Sequence, residues 1–544
     1  MPAAISQIAA ALGANRPVQT GDGVKYLLEE DGQMLMVKPV AAAVLAMTFA
    51  GLLHAADDEH HAHPAPEKLG AVSFPTTCTP AVAPAFERAL ALLHSFAYAA
   101  SEQAFRDVAA RDPGCAMARW GIAMSLFHQL WQPPSGEDLR AGAEQVRRAV
   151  ETAAGSLRER QFIEALSTYY RDSERDGHAV RAQRYRRAMA DVAWGNPADP
   201  EAQIFYALAL IATAPPADKS HANQKQAAGI LEPIFHQQPE HPGAAHYLIH
   251  AYDSAELAPQ GLAAARAYSR IAPSAPHALH MPSHIFTRLG LWDDSIASNR
   301  AARAAAHQQG DFGEELHAMD YLTYALLQRG RYAEAGQVVA ELRSVNGIHA
   351  AEFKVGYAAT AMPVRLAVEG RAWDEAASLE PLPQSAPHVA ALVYWARALG
   401  KTRAAHPRSA DAEIDRLEAC LRDTQSAGNE YWVTQVDALL KEARAWRFAS
   451  VGEAEAAIVS LRAAADEEDA VEKLPVTPGP VVPAREQLGE LLVDLKRPDE
   501  ALSEFRTALT FAPGRRGALV GAVAAAEHLG DARAAAQLRA ELGR

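Results

Sequence analysis

Basic charge is what this chain is short of. Its 52 Lys and Arg stand against 66 Asp and Glu, for a formal net charge of −14. An acidic surface without a long basic run repels a phosphate backbone, which argues against nucleic acid as a partner. Alternating runs of Val, Ile, Thr and aromatics are scarce, so sheet architectures have little to build on. The common catalytic and nucleotide signatures are also missing. There is no HExxH, no GxSxG, no Walker loop and no GxGxxG following a strand. Beyond the N-terminal region, no stretch is long and apolar enough to cross a bilayer.

What is present is alanine, in abundance, with apolar residues at helical spacing. At 544 residues the chain exceeds what one core supports, so several domains or a repeat array is expected. The N-terminal region carries an address. From Met34, one lysine (Lys38) precedes an apolar run from Pro39 to Leu53, then small residues at Ala55 and Ala56 and acidic residues. This is the layout of a secretory signal peptide over 34–56. Residues 1–33 do not fit it and read as an over-extended N-terminus. Export places the mature chain in a bacterial periplasm or outside the cell, with no membrane insertion once the signal is removed. A flexible linker over 57–79 follows, containing His60, His61 and His63.

Three cysteines are present. Cys78 precedes the first expected helix and Cys115 follows the first helical hairpin, whose two ends lie side by side. In an oxidising compartment these thiols pair; in a reducing one they are two core cysteines. Cys420 reads as a buried small apolar residue.

Near the C-terminus, RPDEALSEFRTALTFAP sets Ala501, Phe505, Ala508 and Pro513 at spacings of 4, 3 and 5. Small residues stand where two helices touch, an aromatic fills the groove between them, and proline ends the unit. Ser101, Phe105, Val108 and Pro113 repeat the skeleton, and "LGLWDDS", "RGRYAEA" and "EGRAWDEA" mark turns inside further units. This pattern resembles the tetratricopeptide repeat (TPR) family. The resemblance implies an all-α, right-handed solenoid of roughly ten to twelve helical hairpins with a concave groove. The array divides into N-terminal repeats (80–240), central His-rich repeats (241–346), further repeats (347–465) and C-terminal repeats (487–544). A Pro-rich, non-helical arm (466–486) interrupts it, placed to carry Glu472, Lys473, Arg485 or Glu486 across the groove.

Nine of the 21 histidines fall between His236 and His317. His246 and His250 are i and i+4, on one helix face, and His280 and His284 repeat that spacing 34 residues later, one TPR period. Aligning Gly290 with Gly330 maps His277 onto His317, His280 onto Asp320 and His284 onto Tyr324. In the TPR family such first-helix positions resemble those that face the groove. The pairs, with His277, His317, Asp253 and Asp320, form a candidate site for zinc, copper, iron or manganese, the aspartates orienting ring N–H groups. Met281 is either a soft ligand or core. His94, Trp120 and His128 from the first hairpins are candidates for the far end of the groove. Pro282 stands inside the predicted helix, so the helix either starts near Met281 or is kinked there.

"LLHSF", "DPGCAMARWGIAMS", "HYLIHAYD", "HMPSHIFTRLGLWDDS" and "VTPGPVVPARE" resemble a group of exported bacterial TPR proteins, a likeness that spans nearly all of the mature chain. It supports fold and compartment and attaches no reaction. Three functions remain open: a metal-binding solenoid, a metal-dependent enzyme using the same site, or a scaffold holding a small molecule or peptide in its groove.

Overall fold

The computed structural model describes residues 17–19, 25–28, 34–36, 67–130, 133–152, 155–343, 345, 348–404 and 408–543. It divides into two units, 1–67 and 68–544. In the first, strands Pro17–Gln19, Lys25–Leu28 and Met34–Met36 form an antiparallel sheet in chain order, with Tyr26 opposite both Val18 and Met36. The all-helical expectation does not extend to this unit. Apart from Met34–Met36, the signal-peptide segment lies outside the described residues, as do His60, His61 and His63.

The second unit is an all-α, TPR-like solenoid: one short 3-10 turn, then helices in unbroken succession from Ala83 to Leu542, with no strand among its described residues. Each helix packs on its sequence neighbour. First helices also touch the first helix of the next hairpin, as Phe312–Gln328 does Phe353–Glu369 and Ala484–Asp494 does Arg516–His528. Phe505 shows why the repeat needs its spacing. Its ring is fully buried against Gly489 on one side and Gly521 on the other, where an added Cβ would run into the ring. Phe105 and Gly121 repeat the arrangement. Gly290 and Gly330, the aligned turn positions, have φ of +68° and +69°, a conformation that favours glycine.

The segment read as a flexible linker is only partly so placed. Residues 68–79 run extended along the N-terminal repeats. Phe74 is buried between Phe86, Trp120 and Phe162, Ala71 N–H donates to Glu240 O at 2.9 Å, and Thr77 bonds the Glu159 carboxylate. Its apolar anchors, Leu69 and Phe74, are too few to show a periodicity in sequence. Cys78 and Cys115 form a disulfide with Cα atoms 4.7 Å apart, and Cys420 is buried.

The solenoid closes upon itself. Trp292 Nε1 donates to Gly514 O at 2.9 Å, and Arg516 N donates to the Gln328 side chain. Arg515, fully buried, pairs with Glu369 (3.2 Å) and Glu486 (2.6 Å). The arm lies within this closure. It is shorter than read from the sequence, since helix Ala454–Ala470 runs into it and helix Ala484–Asp494 takes over its end, leaving 471–483 non-helical. Arg365 fastens it by donating to Gly479 O (2.9 Å) and Pro480 O (3.0 Å).

Candidate metal centre

Pro282 does not cost the register. Helix Pro276–His280 and helix Pro282–Arg288 are joined by Met281 in right-handed helical conformation, and Met281 N–H still donates to His277 O at 2.9 Å. The proline kinks the helix, and His277, His280 and His284 stay on its inner side. Helix Pro242–Ala251 contributes His246 and His250, and helix Phe312–Gln328 contributes His317. All six rings are buried; His250, at 6% exposure, is the most accessible.

They sort into two triads. His246, His250 and His277 bring ligand nitrogens within 4.8 Å of one another, and so do His280, His284 and His317. In the first, His246 Nε2 lies 3.1 Å from His250 Nε2 and 3.2 Å from His277 Nε2. In the second, His280 Nε2 lies 3.0 Å from His284 Nε2. The two clusters adjoin, with the rings of His250 and His284 5.9 Å apart.

The other ring nitrogens settle the tautomer of four of the six, His246, His277, His280 and His284. His246 Nδ1–H donates to the backbone carbonyl of His94 at 2.6 Å, a group that can only accept. His277 Nδ1–H donates to Glu314 at 3.1 Å, and His284 Nδ1–H to Asp253 at 2.9 Å. His280 Nδ1–H donates to Asn299 Oδ1 at 2.7 Å, and the Asn299 amide donates in turn to Ser295 O, which fixes its orientation. A neutral imidazole with its proton on Nδ1 has a lone pair on Nε2. The close pairs His246–His277 and His280–His284 therefore bring lone pair against lone pair. Such contacts are repulsive unless a proton or a metal ion lies between the two nitrogens.

Burial, reinforced by neighbouring imidazoles, holds His246, His250, His280 and His317 well below the usual histidine range. Burial also lowers His284, to about 4, against the upward pull of Asp253. Asp253 is held well below the usual carboxylate range: burial pushes it up, but Lys473 and Arg288 outweigh this. Glu314 is likewise lowered against its burial, by Lys354 and His277. Each carboxylate behind a histidine is thus an ionised acceptor braced by its own cation. Aromatic rings close the chamber. Phe96 covers His246 at 4.4 Å, Tyr268 stacks on that ring from 5.0 Å, and Tyr321 meets His280 edge-on at 4.7 Å. Tyr321 O–H donates to Pro475 O and Thr477 O, which ties the arm to the chamber.

The other residues singled out from sequence divide. Lys473 does come across on the arm, 2.9 Å from Asp253, where burial lowers its pKa to about 8. Glu472 pairs with Lys219 (3.0 Å) and Arg288 (3.4 Å). Arg485 instead joins Asp466, Asp469 and Glu504, and Glu486 holds Arg515. Asp320 receives Arg365 Nε at 3.0 Å and belongs to neither triad, because this buried guanidinium takes its carboxylate. Tyr324 accepts from Arg515. Trp120 is core, packed on Phe74, Phe162 and Phe205, since its face of the helix points between hairpins. Met281 is buried at the kink. His128 sits over Tyr98 and lines a cavity of about 290 Å³ that reaches the first triad at His250.

Sequence reading missed Glu314 and Asn299. Glu314 was within reach, three residues before His317 and therefore on its face. Asn299 lies on the second helix of its hairpin and carries no signal. His94 contributes its carbonyl, while its ring joins a different cluster: Nε2 faces Glu201 at 3.0 Å, His241 Nε2 faces the other Glu201 oxygen at 3.0 Å, Tyr247 O–H meets His94 Nδ1, and Ala244 N–H donates to His241 Nδ1. Every polar atom there has a partner, so this cluster is a satisfied core network.

No protein-family model and no curated protein matches the chain. Among solved structures, it is similar to a monomeric IFIT1 mutant with Gppp-AAAA (12% identity, 79% of this chain and 90% of that one, TM-score 0.37). It is also similar to the human IFIT1 dimer with m7Gppp-AAAA (12%, 78% and 89%, TM-score 0.34), and to the APC/C hetero-tetramer Cut9-Hcn1 (11%, 89% and 82%, TM-score 0.34). At these scores the likeness says nothing about ligands. Among the described residues, no helix is long and apolar enough to cross a membrane.

Proposed function

We propose that the chain is an exported, TPR-like metal-binding protein that holds a transition-metal ion at each of its two histidine triads. The observation that carries this reading is the pair of Nε2–Nε2 contacts whose Nδ1 protons are all committed elsewhere. Imidazole ligands backed by carboxylates or carbonyls through the opposite ring nitrogen are the usual construction around zinc, copper or iron. All-nitrogen triads suit these ions rather than calcium or magnesium. A bound ion would supply Lewis acidity, while the chain's own residues hold the rings in one tautomer and exclude water.

The cavity at His250, lined also by His128, His178 and His221, supplies an entry path. A peptide scaffold is less well supported, because the arm already occupies the closure where a groove ligand would lie. Cobalt titration of the metal-stripped full chain tests the reading. Visible d–d absorption saturating at two ions per chain, and halved by His280→Ala, is the expected result. No absorption beyond that of free cobalt would sink it.

A further inference from the structure

A neighbouring cavity of about 130 Å³ lies between the arm and the helices Pro387–Arg403, Glu430–Ser450 and Ala454–Ala470. Its walls include Tyr357, Trp395, Tyr431 and Trp432, with the carboxyls of Glu442 and Glu468. They also include the cations Lys219, Arg288, Lys473 and Arg485, which are paired with Glu472, Asp253 and Asp469. The aromatic walls are braced. Trp432 stacks on His388 at 4.7 Å, and Tyr431 stands edge-on to Trp432 at 5.1 Å. Glu442 is 1% exposed. Its Oε2 accepts from Trp395 Nε1 and Gln487 Nε2, both at 2.7 Å, whereas its Oε1 has no partner among the described residues.

Glu468 accepts one backbone N–H, from Ala484 at 3.0 Å. Neither carboxyl has an ion-pair partner among the described residues: Arg485 and Arg515 are taken by Asp466, Asp469, Glu504, Glu369 and Glu486. Ionised, Glu442 Oε1 is a buried acceptor without a donor. Protonated, it has among the described residues only the neighbouring carboxyl of Glu468 to turn to. The ionised state is costly without a counter-charge, and a cation bound in the cavity relieves it. Aromatic faces beside a desolvated carboxylate are the surroundings that organic ammonium ions favour. The volume admits a head group of a few heavy atoms rather than a folded partner.

We propose that this cavity binds a small organic ammonium ion, its charge set against Glu442 Oε1 and its carbon substituents against Trp432 and Tyr431. Specificity then follows from charge as much as from shape. A neutral molecule of the same outline leaves Glu442 unpaired. Burial, with Glu468 close by, pushes the Glu442 carboxyl well above its usual range, so binding displaces a proton from the site. The metal centre plays no part in this proposal, which stands or falls independently of it.

The test is calorimetric titration of the full chain with choline and with butylamine, beside 3,3-dimethylbutan-1-ol, the uncharged isostere of choline. Saturable binding of at least one amine is expected, with no binding of the alcohol. The enthalpy should change with the ionisation heat of the buffer at neutral pH, and Glu442→Gln should weaken the amine about tenfold or more. Equal binding of alcohol and choline, undiminished affinity in a folded Glu442→Gln, or no saturation by either amine would each overturn the proposal. If Glu442→Gln alters the circular dichroism, the amine and alcohol comparison on the unmodified chain decides alone.

Discussion

His246 and His277 face each other across 3.2 Å through nitrogens that both carry lone pairs, each having committed its proton to a fixed acceptor on its far side. Thirty residues separate them in sequence, and the solenoid brings them together by stacking one hairpin on the next. His280 and His284 repeat the relationship within a single kinked helix. On the proposed reading, each contact holds its own ion, two in all.

Selective loss follows from this separation. His246→Ala removes the nitrogen at the centre of the first triad and leaves the second intact. Elemental analysis of the purified variant should give about half the metal of the unmodified chain. Complete loss would mean that the triads act as one site.

Metal should also stabilise the fold, because the six rings converge only in the folded state. At a free metal concentration a thousandfold above the dissociation constant, linkage adds about 4 kcal/mol for each ion. A chelated sample should therefore melt at a clearly lower temperature than a zinc-loaded one. Identical melting temperatures would contradict this.

Arg365 is the fastening between arm and central repeats. It is fully buried, and its loss leaves Asp320 as an uncompensated buried charge and frees the carbonyls of Gly479 and Pro480. Arg365→Met is expected to cost about 3–5 kcal/mol in urea unfolding, and limited proteolysis should then cut within 471–483. Replacing Asp320 by Asn in the same chain should recover part of the loss.

Glu468 gives stability a pH dependence. Burial raises its carboxyl to about 8, aided by Asp469 and opposed by Arg485, Arg515 and the Ala484 N–H, with Glu442 also nearby. Between the ordinary glutamate value and about 8 the folded chain binds more protons here than the unfolded one, so this contribution falls as pH rises. Glu468→Gln should leave the urea midpoint unchanged near pH 4 and raise it progressively, with the gain levelling off above about pH 8. A gain that shrinks with rising pH would contradict the assignment.

The Cys78–Cys115 bond pins the strap of residues 68–79 to the first hairpin across a sequence separation of 37. Reduction, or Cys115→Ser, should cost about 2–4 kcal/mol by constraining the unfolded chain less. Thermal melts with and without reductant measure it directly.

Much of this was legible in the sequence because the repeat period is a physical length. A shift of 34 residues places equivalent side chains one hairpin apart, which holds for His250 and His284, with rings 5.9 Å apart, whereas His246 meets His277 rather than His280. The 40-residue alignment that placed Asp320 opposite His280 gave no sign that a buried arginine takes its carboxylate. Trp120 misled because a large aromatic on a first helix can face either the groove or the neighbouring hairpin, and spacing alone does not say which. The strap at 68–79 and the closure of Trp292 on Gly514 were invisible, since each rests on contacts between segments distant in sequence that follow no repeat spacing. Pro282 read as a threat to the register and proved to be a kink, because only one backbone donor is lost and the surrounding turns keep their bonds.

Diffraction at the absorption edge of zinc, from crystals of the zinc-loaded full chain, tests the central claim most directly. Two anomalous peaks are expected, one bonded to His246, His250 and His277 and the other to His280, His284 and His317, each at about 2.0–2.1 Å from the ligating nitrogens. A folded chain with no anomalous peak at either triad, the Nε2 atoms still paired and nothing between them, would contradict it.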